Sequence, residues 1–454
     1  MTHPWRFDGF PGRVLWVDLT AGTCESRDIP HEWCLQHMGG KALATKLLVE
    51  WDTTDYEAAT ANQHPITGRM DAASHPTTPL LFMTGPYQGS KVGSSGRAVV
   101  VTRSPLTECY IDTYIGGNIG HDLRKAGWDG LFITGASETW VRLEINDASA
   151  TLHPADDLVG MTTWQVEQTL DGLGECLSIG PAGEHGIRIA SPLTAGRRAA
   201  GRGGTGASFG FKRLKAVTVK ASKEAAAGMR YAEDFSLADA IKEQRKEMGK
   251  RRKYGDPFYA FGTSRGPLYA AENGRMPTAN YSSTDAQIPD LSALKVSGGA
   301  GGQTPDAVAD GAEPVTVVSA MDTHELSGEH WHESLPDAKQ SGCCAPCPIA
   351  CEAADRPTVD GVKMRGRPVH VNRVDRPEYE TLAMMGANLG IGSSLDVMDG
   401  NDAANRLGID TISGGAALSF MCETAQRGWL PEGWSDHFEA PFAFGHYAQG
   451  DPVP

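Results

Sequence analysis

The alternation of polar and apolar residues in the first half of the chain predicts several short strands. Residues 13–19 alternate as in a strand with one buried face. Helical periodicity appears between such runs, at residues 43–51 and 162–170. Further strand-like runs lie at residues 79–84, 97–102, 130–134, 140–145 and 214–219. Short strands and helices without regular alternation indicate an α+β domain with antiparallel pairing.

The second half of the chain has a different pattern. From Tyr231 onward the periodicity becomes helical, most clearly over residues 238–250. Residues 285–320 are rich in Gly, Ala, Asp and Thr and show neither period, which is typical of a surface insertion. We therefore predict an α+β fold in which a β-rich N-terminal domain precedes a mostly helical part. The predicted boundaries are 1–220, 221–340 and 341–454.

Charge and composition narrow the class of protein. The 454 residues carry a net charge of −15, which argues against a nucleic-acid groove because phosphate backbones need a basic face. The N-terminus lacks the basic and apolar regions of a signal peptide, and no apolar run is long enough to span a membrane. We expect a cytoplasmic protein. Its nine cysteines should then be reduced, and a cluster of them suggests metal binding.

Three cysteines in one short segment are the strongest chemical signal. Cys344, Cys347 and Cys351 have the spacing C-x2-C-x3-C, which can ligate three corners of an iron–sulfur cube. A structural zinc site is the alternative, with His330 or His332 as a further ligand. The H-x-H spacing of these histidines is tighter than that of zinc fingers, so the pattern favours a 4Fe–4S cluster. Cys343 is predicted to be a spectator.

A glycine- and arginine-rich segment, residues 196–206, is the second signal. Glycines let a backbone approach an anion closely, and the arginines offer forked donors for phosphate. Gly201, Gly203 and Gly206 also form a G-x-G-x-x-G pattern, which raises a dinucleotide-binding alternative. That alternative is disfavoured because no apolar strand precedes the glycines and no clean helix with an acidic partner is predicted after them. A solvated loop is the remaining interpretation.

Two further segments are ambiguous by themselves. Arg97 follows small residues at the start of a predicted strand. Glu378 and Glu380 flank a tyrosine ahead of an apolar stretch. A carboxylate on a buried helix would have a raised pKa suited to proton transfer, although such residues also cap helices.

Taken in order, these segments resemble the aldehyde ferredoxin oxidoreductase family. The resemblance covers nearly the whole chain apart from 285–320 and the last dozen residues. Its landmarks are 12–19, 39–43, 85–86, 96–97, 102–107, 116–117, 126–130, 179–184, the arginine–glycine segment, the cysteine motif, 377–380, 386–391 and 407–413.

The resemblance implies a metal held between two pterin dithiolenes. Tungsten, or less often molybdenum, would be the metal, and magnesium would bridge the pterin phosphates. Arg97 and Arg198 would bind those phosphates, with the Ala199 carbonyl on the magnesium side and Asp410 on a pterin ring. The implied cofactor-binding residues are Arg97, Gly116, Gly117, Arg198, Ala199, Gly201, Arg202, Asn405, Gly408 and Asp410.

It also implies an activity and a partner. The cysteines would ligate a 4Fe–4S cluster that passes electrons to ferredoxin or another carrier. Glu380 would handle a proton near the metal as an aldehyde is oxidised to a carboxylic acid. The alternatives are one subunit of a split enzyme, an inactive truncated product, or a zinc-stapled binding module.

Several positions depart from the family pattern. Asn405 replaces the Asp that opens the pterin motif, and Tyr114 replaces a magnesium-side Asn. A Glu-x-x-His pair that binds iron between subunits appears as Asp399 and Asp402. The family's later segment carries a second pterin motif and a fourth cluster cysteine, and it is absent from the sequence. A second chain that supplies them is one expectation, and an inactive truncated product is the other.

Overall fold

The structure is a computed structural model. It describes residues 5–61, 72–232, 236–253, 256–281, 326–328, 330, 339–341, 346–349, 352–354, 363–364, 367–368 and 376–433. The chain divides into two compact units. The first contains residues 1–254, 342–349 and 404–410, and the second contains the rest. The predicted insertion at 285–320 lies outside the described residues, and the predicted three-segment division stays a prediction.

The first unit contains a six-stranded mixed sheet. Its order is β2-β1-β6-β3-β4-β5, in which β1 and β6 are parallel and the other neighbours antiparallel. The strands are β1 (Arg13–Asp18), β2 (Thr23–Asp28), β3 (Leu80–Met83), β4 (Ala98–Arg103), β5 (Tyr110–Ile115) and β6 (Gly130–Thr134).

A second six-stranded sheet has the order β11-β10-β9-β12-β7-β8. Here β7 and β12 are parallel and the other neighbours antiparallel. The prediction of antiparallel pairing is therefore wrong for one pair in each sheet. The strands are β7 (Val141–Asn146), β8 (Ser149–Pro154), β9 (Glu175–Ser178), β10 (Leu193–Thr194), β11 (Arg198–Ala199) and β12 (Leu214–Lys220).

Nine α-helices are described in the first unit. One of them, α5, begins with a capping box in which Thr162 and Gln165 satisfy each other's backbone N–H groups. The helices are α1 (His31–His37), α2 (Gly40–Trp51), α3 (Tyr56–Ala61), α4 (Ile119–Lys125), α5 (Thr163–Thr169), α6 (Pro181–Glu184), α7 (Thr205–Phe211), α8 (Lys223–Ala227) and α9 (Leu237–Lys253).

Both faces of the first sheet are buried, as β3 illustrates. Leu80 and Phe82 pack into a core shared with β7, β9 and β12 of the second sheet. Leu81 and Met83 pack on the other side, in a core that includes residues of α1 and α2. Because alternate side chains point to opposite faces, burial of both faces makes the strand continuously apolar. The mixed sheets and the helical remainder confirm the predicted α+β class.

The second unit is mostly helical in its described part. Its core includes Leu326 and Leu382, with residues from helices on either side. The helices are α10 (Pro257–Phe261), α11 (Gly266–Glu272), Tyr379–Thr381, Ser394–Leu407, which ends within the first unit, and Thr411–Gln426. Two hairpins pair Lys339–Ser341 with Glu352–Ala354 and Lys363–Met364 with Arg367–Pro368.

A buried ion pair in the first unit joins β12 to α6. Lys215 is fully buried and pairs with Glu184. Its ammonium group also donates to the carbonyls of Met161 and Ile179, at 2.9 and 2.8 Å. Glu184 in turn accepts from the Gly160 N–H. Loss of solvent lowers the pKa of Lys215, while Glu184 opposes that shift. The pair therefore fixes α6 against the sheet.

We predict that Lys215→Met will lower the free energy of unfolding by about 3–5 kcal/mol, because Glu184 would be left as a buried unpaired charge. Chemical denaturation followed by circular dichroism would measure this loss. Lys220→Met is the matched control, since Lys220 lies on the same strand but is exposed. Equal losses in the two variants would contradict the assignment.

Candidate functional site

Arg97 and Gly116 lie at the same end of a strand pair. Arg97 immediately precedes β4, and Gly116 immediately follows β5. The antiparallel register aligns Ala98 with Ile115, so the next residues along, Arg97 and Gly116, are adjacent. Arg97 is exposed and Gly116 is buried. At this end of the strand pair, Arg97 therefore lies beside the Gly116 backbone, which carries no side chain that would block a ligand.

Gly117 connects this end of the first sheet to the second. Its φ of +75° lies in the left-handed region that favours glycine. A Cβ at this position would lie 3.0 Å from Cγ2 of Thr194, which is closer than side chains normally approach. Thr194 is the β10 residue that pairs with Arg198 on β11. The hairpin end that carries Arg97 therefore approaches the strand that carries Arg198 where Gly117 meets Thr194.

The arginine–glycine segment is held by hydroxyl groups from neighbouring strands and loops. The Arg202 N–H donates to the Thr113 hydroxyl of β5 at 3.3 Å. The Ser191 and Ser104 hydroxyls donate to the carbonyls of Gly201 and Gly203, at 2.8 and 2.7 Å. These bonds fix the backbone from Gly201 to Gly203. Arg197 and Arg198 remain half-buried and Arg202 is exposed.

Helix α7 begins at the end of this segment, where no clean helix with an acidic partner was predicted. All seven residues of α7 are buried. The Gly206 N–H in its first turn donates to the Ala190 carbonyl at 2.9 Å, and the Thr205 hydroxyl donates to Ala200 at 3.3 Å. A pyrophosphate would need such first-turn groups to be open. The geometry therefore does not favour the dinucleotide alternative.

The turn from Asn405 to Asp410 packs against the same unit. The Ser191 N–H donates to the Gly408 carbonyl at 2.8 Å, and the Asp410 N–H donates to Ile189 at 3.0 Å. The Asn405 carbonyl accepts from the Thr163 hydroxyl at 2.8 Å. Gly408 has a φ of +76°, and a Cβ there would lie 3.0 Å from the Gly180 nitrogen. These contacts place Asp410, which is distant in sequence, beside the arginine–glycine segment.

Asp410 meets that segment directly. Its carboxylate is 4% exposed and pairs with the Arg202 guanidinium at 2.9 Å. A Cβ on Gly201 would lie 3.4 Å from Oδ1 of Asp410. The ion pair with Arg202 offsets the cost of burying the Asp410 carboxylate. Four of the predicted cofactor-binding residues, Gly201, Arg202, Gly408 and Asp410, lie in this contact region.

The arrangement fits an anionic ligand that bears phosphate groups. Arg97, Arg198 and Arg202 provide forked donors around the glycine backbone. The Thr194 hydroxyl beside Gly117 is buried and makes no hydrogen bond to any described residue.

Tyr114, the β5 residue predicted to replace a magnesium-side asparagine, is 43% exposed. Partial burial raises its pKa, and the charge of Asp112 adds to the rise, so its phenol stays protonated and able to donate.

Cys347 is the one member of the predicted cluster triplet among the described residues, since Cys344 and Cys351 lie outside them. It is half-buried, and its Sγ lies 3.8 Å from the Ser94 hydroxyl. The Ser94 N–H donates to the Pro346 carbonyl at 2.9 Å. The loop that carries Arg97 therefore also contacts the cysteine loop. A thiol with a hydroxyl neighbour and partial exposure suits an iron–sulfur ligand.

The glutamates of the second unit have different environments. Glu378 precedes helix Tyr379–Thr381 and accepts a hydrogen bond from the Thr263 hydroxyl, so its role is structural. Glu380 is exposed, rather than buried as its sequence context predicted. A π-helical turn, Leu382–Gly386, follows it. Such turns occur frequently at functional sites. Its catalytic role stays a prediction.

No group of three or more His, Cys, Asp or Glu side chains that could hold a metal ion occurs among the described residues. No helix in the described part of the chain is both long and apolar enough to cross a membrane. Asp399 and Asp402 lie one turn apart on helix Ser394–Leu407.

Four hydroxyl-bearing residues of this site were not predicted from the sequence. Ser104, Thr113, Ser191 and Thr194 were not singled out as site residues. Ser104 offered the clearest signal, because its serine–proline pair favours turn initiation. Its side chain does accept from the Leu106 and Thr107 N–H groups. The other three come from separate strands and loops with no shared motif.

Two packed mixed sheets bring arginines and glycines to one site whose chemistry suits an anionic ligand. Comparisons with known proteins identify the family. Residues 14–221 match the aldehyde ferredoxin oxidoreductase N-terminal domain, and residues 239–449 match domains 2 and 3 of the same family. The chain belongs to the aldehyde ferredoxin oxidoreductase family, whose members are oxidoreductases.

Individual relatives agree with this assignment. The chain is 28% identical over 448 residues to a tungsten-containing aldehyde ferredoxin oxidoreductase of Pyrococcus abyssi, covering 96% of this chain and 62% of the relative. An enzyme of the same name from Pyrococcus furiosus is 28% identical over 430 residues, covering 93% and 60%. The chain thus spans about three-fifths of the length of these relatives.

Two more distant proteins are also similar. An aliphatic sulfonate oxidoreductase, WOR-like subunit, of Pyrococcus furiosus is 24% identical over 440 residues, covering 93% of this chain and 60% of that one. Among solved structures, the active-site complex BamBC of benzoyl coenzyme A reductase has a TM-score of 0.66 at 19% identity. The match covers 95% of this chain and 58% of that one, and it supports the fold alone.

We predict that Gly180→Ala will displace the Asn405–Asp410 turn. A Cβ at Gly180 would overlap the Leu407 carbonyl oxygen, which is backbone and cannot rotate away. Overpacking costs about 1–3 kcal/mol, so amide exchange at Ser191 and Asp410 should accelerate by about tenfold to a hundredfold. Hydrogen-exchange mass spectrometry would measure it. Gly249→Ala is the control, because nothing lies within 4 Å of a Cβ there. Unchanged protection in Gly180→Ala would contradict the packing argument.

Proposed function

We propose that this chain holds a tungsten–pterin cofactor and a 4Fe–4S cluster in an enzyme that oxidises aldehydes to carboxylic acids. The observation that carries the proposal is the meeting of the hairpin end, the arginine–glycine segment and the Asp410 turn in one unit. Family membership supports the redox class. The names of the Pyrococcus relatives support tungsten and the aldehyde substrate.

In this proposal the arginines act as the phosphate clamp. Arg97 and Arg198 would each donate to pterin phosphates, and the Ala199 carbonyl would face a bridging magnesium. Gly116 and Gly117 would let the backbone approach one pterin, while Asp410 would accept from a ring nitrogen. Asn405 and Gly408 would shape the turn behind it. Charged hydrogen bonds of this kind contribute about 1.5–3 kcal/mol each, so the clamp would bind the cofactor strongly.

In this proposal the cofactors carry the electrons, and the protein's side chains hold the cofactors and accept a proton. When bound, the metal and cluster accept two electrons from the substrate and release them singly. Oxidation of an aldehyde to an acid takes its oxygen from water and releases two protons together with the two electrons. Glu380 is proposed to accept one of these protons. Cys344, Cys347 and Cys351 would ligate the cluster, and ferredoxin or another carrier would receive the electrons.

The relatives also suggest alternatives. The sulfonate oxidoreductase relative is named as a subunit, which favours a variant of the proposal in which this chain works with a second chain. The same name makes an organosulfonate the second candidate substrate.

The cysteine spacing leaves a further alternative from another class, a zinc-stapled module without redox activity. A cytoplasmic location stays a prediction.

Metal analysis separates the redox proposal from the zinc module. Protein produced in a host that makes tungsten–pterin should contain tungsten or molybdenum and about four iron atoms. Cys347→Ser should lose that iron, whereas Cys343→Ser should retain it because Cys343 lies outside the C-x2-C-x3-C pattern. Inductively coupled plasma mass spectrometry gives both results. Stoichiometric zinc with neither iron nor tungsten would overturn the proposal.

Replacement of Glu380 tests proton transfer. Glu380→Gln should keep the metal and cluster but reduce aldehyde-dependent viologen reduction by about 10²–10⁴-fold, the usual contribution of a general acid or base. Glu378→Gln is the neighbouring control, since a glutamine oxygen can still accept from Thr263. Loss of cofactor from Glu380→Gln would instead indicate a structural role.

A further inference from the structure

Helix α9 has one face that packs and one that is open. Leu237, Ile241, Gln244 and Met248 are half-buried, at spacings of four, three and four residues. This is the period of a helix that packs along a single stripe. Every other described side chain from Lys242 to Lys253 is exposed. The outward face is therefore available to a partner.

The open face is basic in an acidic chain. Residues 237–253 contain seven lysines and arginines and three acidic residues, a net charge of +4, whereas the whole chain carries −15. Lys246 and Lys250 pair with Glu243 and Glu247 within the helix. Lys242, Arg245, Arg251 and Lys253 are exposed and form no ion pair with any described residue. We refer to Lys242, Arg245, Lys246, Lys250, Arg251 and Lys253 as the basic face.

The packed stripe connects the helix to the loop beside Cys347. The Gln244 side chain accepts from the Gly93 N–H at 2.8 Å and donates to the Gly93 carbonyl at 3.1 Å. A Cβ on Gly93 would lie 2.9 Å from Cδ of Pro348. The next residue, Ser94, contacts Pro346 and Cys347. One glutamine and two loop residues thus separate the helix from a predicted cluster ligand.

We propose that the basic face of α9 is the docking surface for an acidic one-electron carrier protein, an inference that rests on the proposed function. The net negative charge of the chain repels an acidic protein, and a local basic face attracts it in one orientation. Electron-transfer complexes are small and transient, and electrostatic steering suits them. Docking here brings the carrier close to the cysteine loop, where electrons would leave the protein.

The proposed transfer of electrons to the carrier forms and breaks no covalent bond. Each encounter moves one electron from the reduced protein to an oxidised carrier, which is reduced by one electron. Two encounters therefore follow each two-electron oxidation of substrate. The basic face takes no part in the chemistry itself, so its charges should affect carrier kinetics alone.

Charge reversal tests the docking surface. Lys242→Glu/Arg245→Glu removes two cations that have no ion-pair partner among the described residues, so no bridge is broken. The probe is a purified acidic 4Fe–4S ferredoxin. Since steering contributes about 10–10³-fold to association rates, we expect kcat/KM for ferredoxin to fall roughly tenfold or more and to lose much of its dependence on ionic strength. Aldehyde-dependent reduction of a small viologen should be unchanged.

The control reverses two charges elsewhere in the same unit. Lys220→Glu/Lys223→Glu changes exposed lysines at the end of β12 and the start of α8. It alters the net charge by the same amount and should leave ferredoxin kinetics within about twofold of the parent protein. An equal loss in both double variants would indicate a net-charge effect and overturn the docking assignment.

Binding measurements keep the test independent of turnover. Ferredoxin association is measured by surface plasmon resonance with the holoenzyme and both double variants. Weaker binding in Lys242→Glu/Arg245→Glu alone supports the proposal, whereas unchanged binding overturns it. Binding of RNA or phosphatidylserine vesicles through this face, without ferredoxin, also overturns it. Absent viologen reduction by the parent holoenzyme, assayed together with a second chain where it has one, contradicts the proposed function but leaves the binding result decisive for the surface.

Discussion

The candidate site depends on close backbone packing around helix α7. A Cβ on Gly204 would overlap the Arg188 carbonyl, and one on Gly210 would overlap the Gly183 carbonyl. A Cβ on Gly206 would lie 2.6 Å from the Ser191 nitrogen. Only glycine permits these approaches. They bring the helix against α6 and the segment from Arg188 to Ser191, and so determine where the preceding arginines emerge. Side chains at these positions would push the arginine–glycine segment away from Asp410.

The loop from Gly93 to Arg97 also packs closely against its neighbours. Gly93 is held by Gln244 of α9, Ser94 contacts the cysteine loop, and Arg97 begins the hairpin end of the site. Ser94 has a φ of 62°, a left-handed conformation uncommon for serine. Five residues therefore link the predicted phosphate clamp, the predicted cluster ligand and the basic face. A shift in this loop would alter all three together.

Local patterns predicted the strands and helices that have a regular buried face. β1, β3, β4, β6, β7 and β12 and helices α2, α5 and α9 were predicted within a few residues of their observed bounds. Two of the elements that were not predicted lack such a pattern. β2 is a polar edge strand, and α7 is buried on all sides with three glycines beside or within it. Neither has an alternation or a single apolar stripe, so periodicity gives no signal there.

The sequence by itself determined the chemistry available to this protein: a cysteine triplet, an arginine–glycine segment, and enough ordered landmarks to indicate the family, which the comparisons confirm. The tertiary structure alone decided which of these groups meet. Asp410 lies 208 residues after Arg202, yet their side chains pair at 2.9 Å. It also gave Glu378 a hydrogen bond from the Thr263 hydroxyl and left Glu380 exposed. The physical reason is that residue type fixes what a group can bond, whereas packing of distant backbone segments fixes which partner lies within reach.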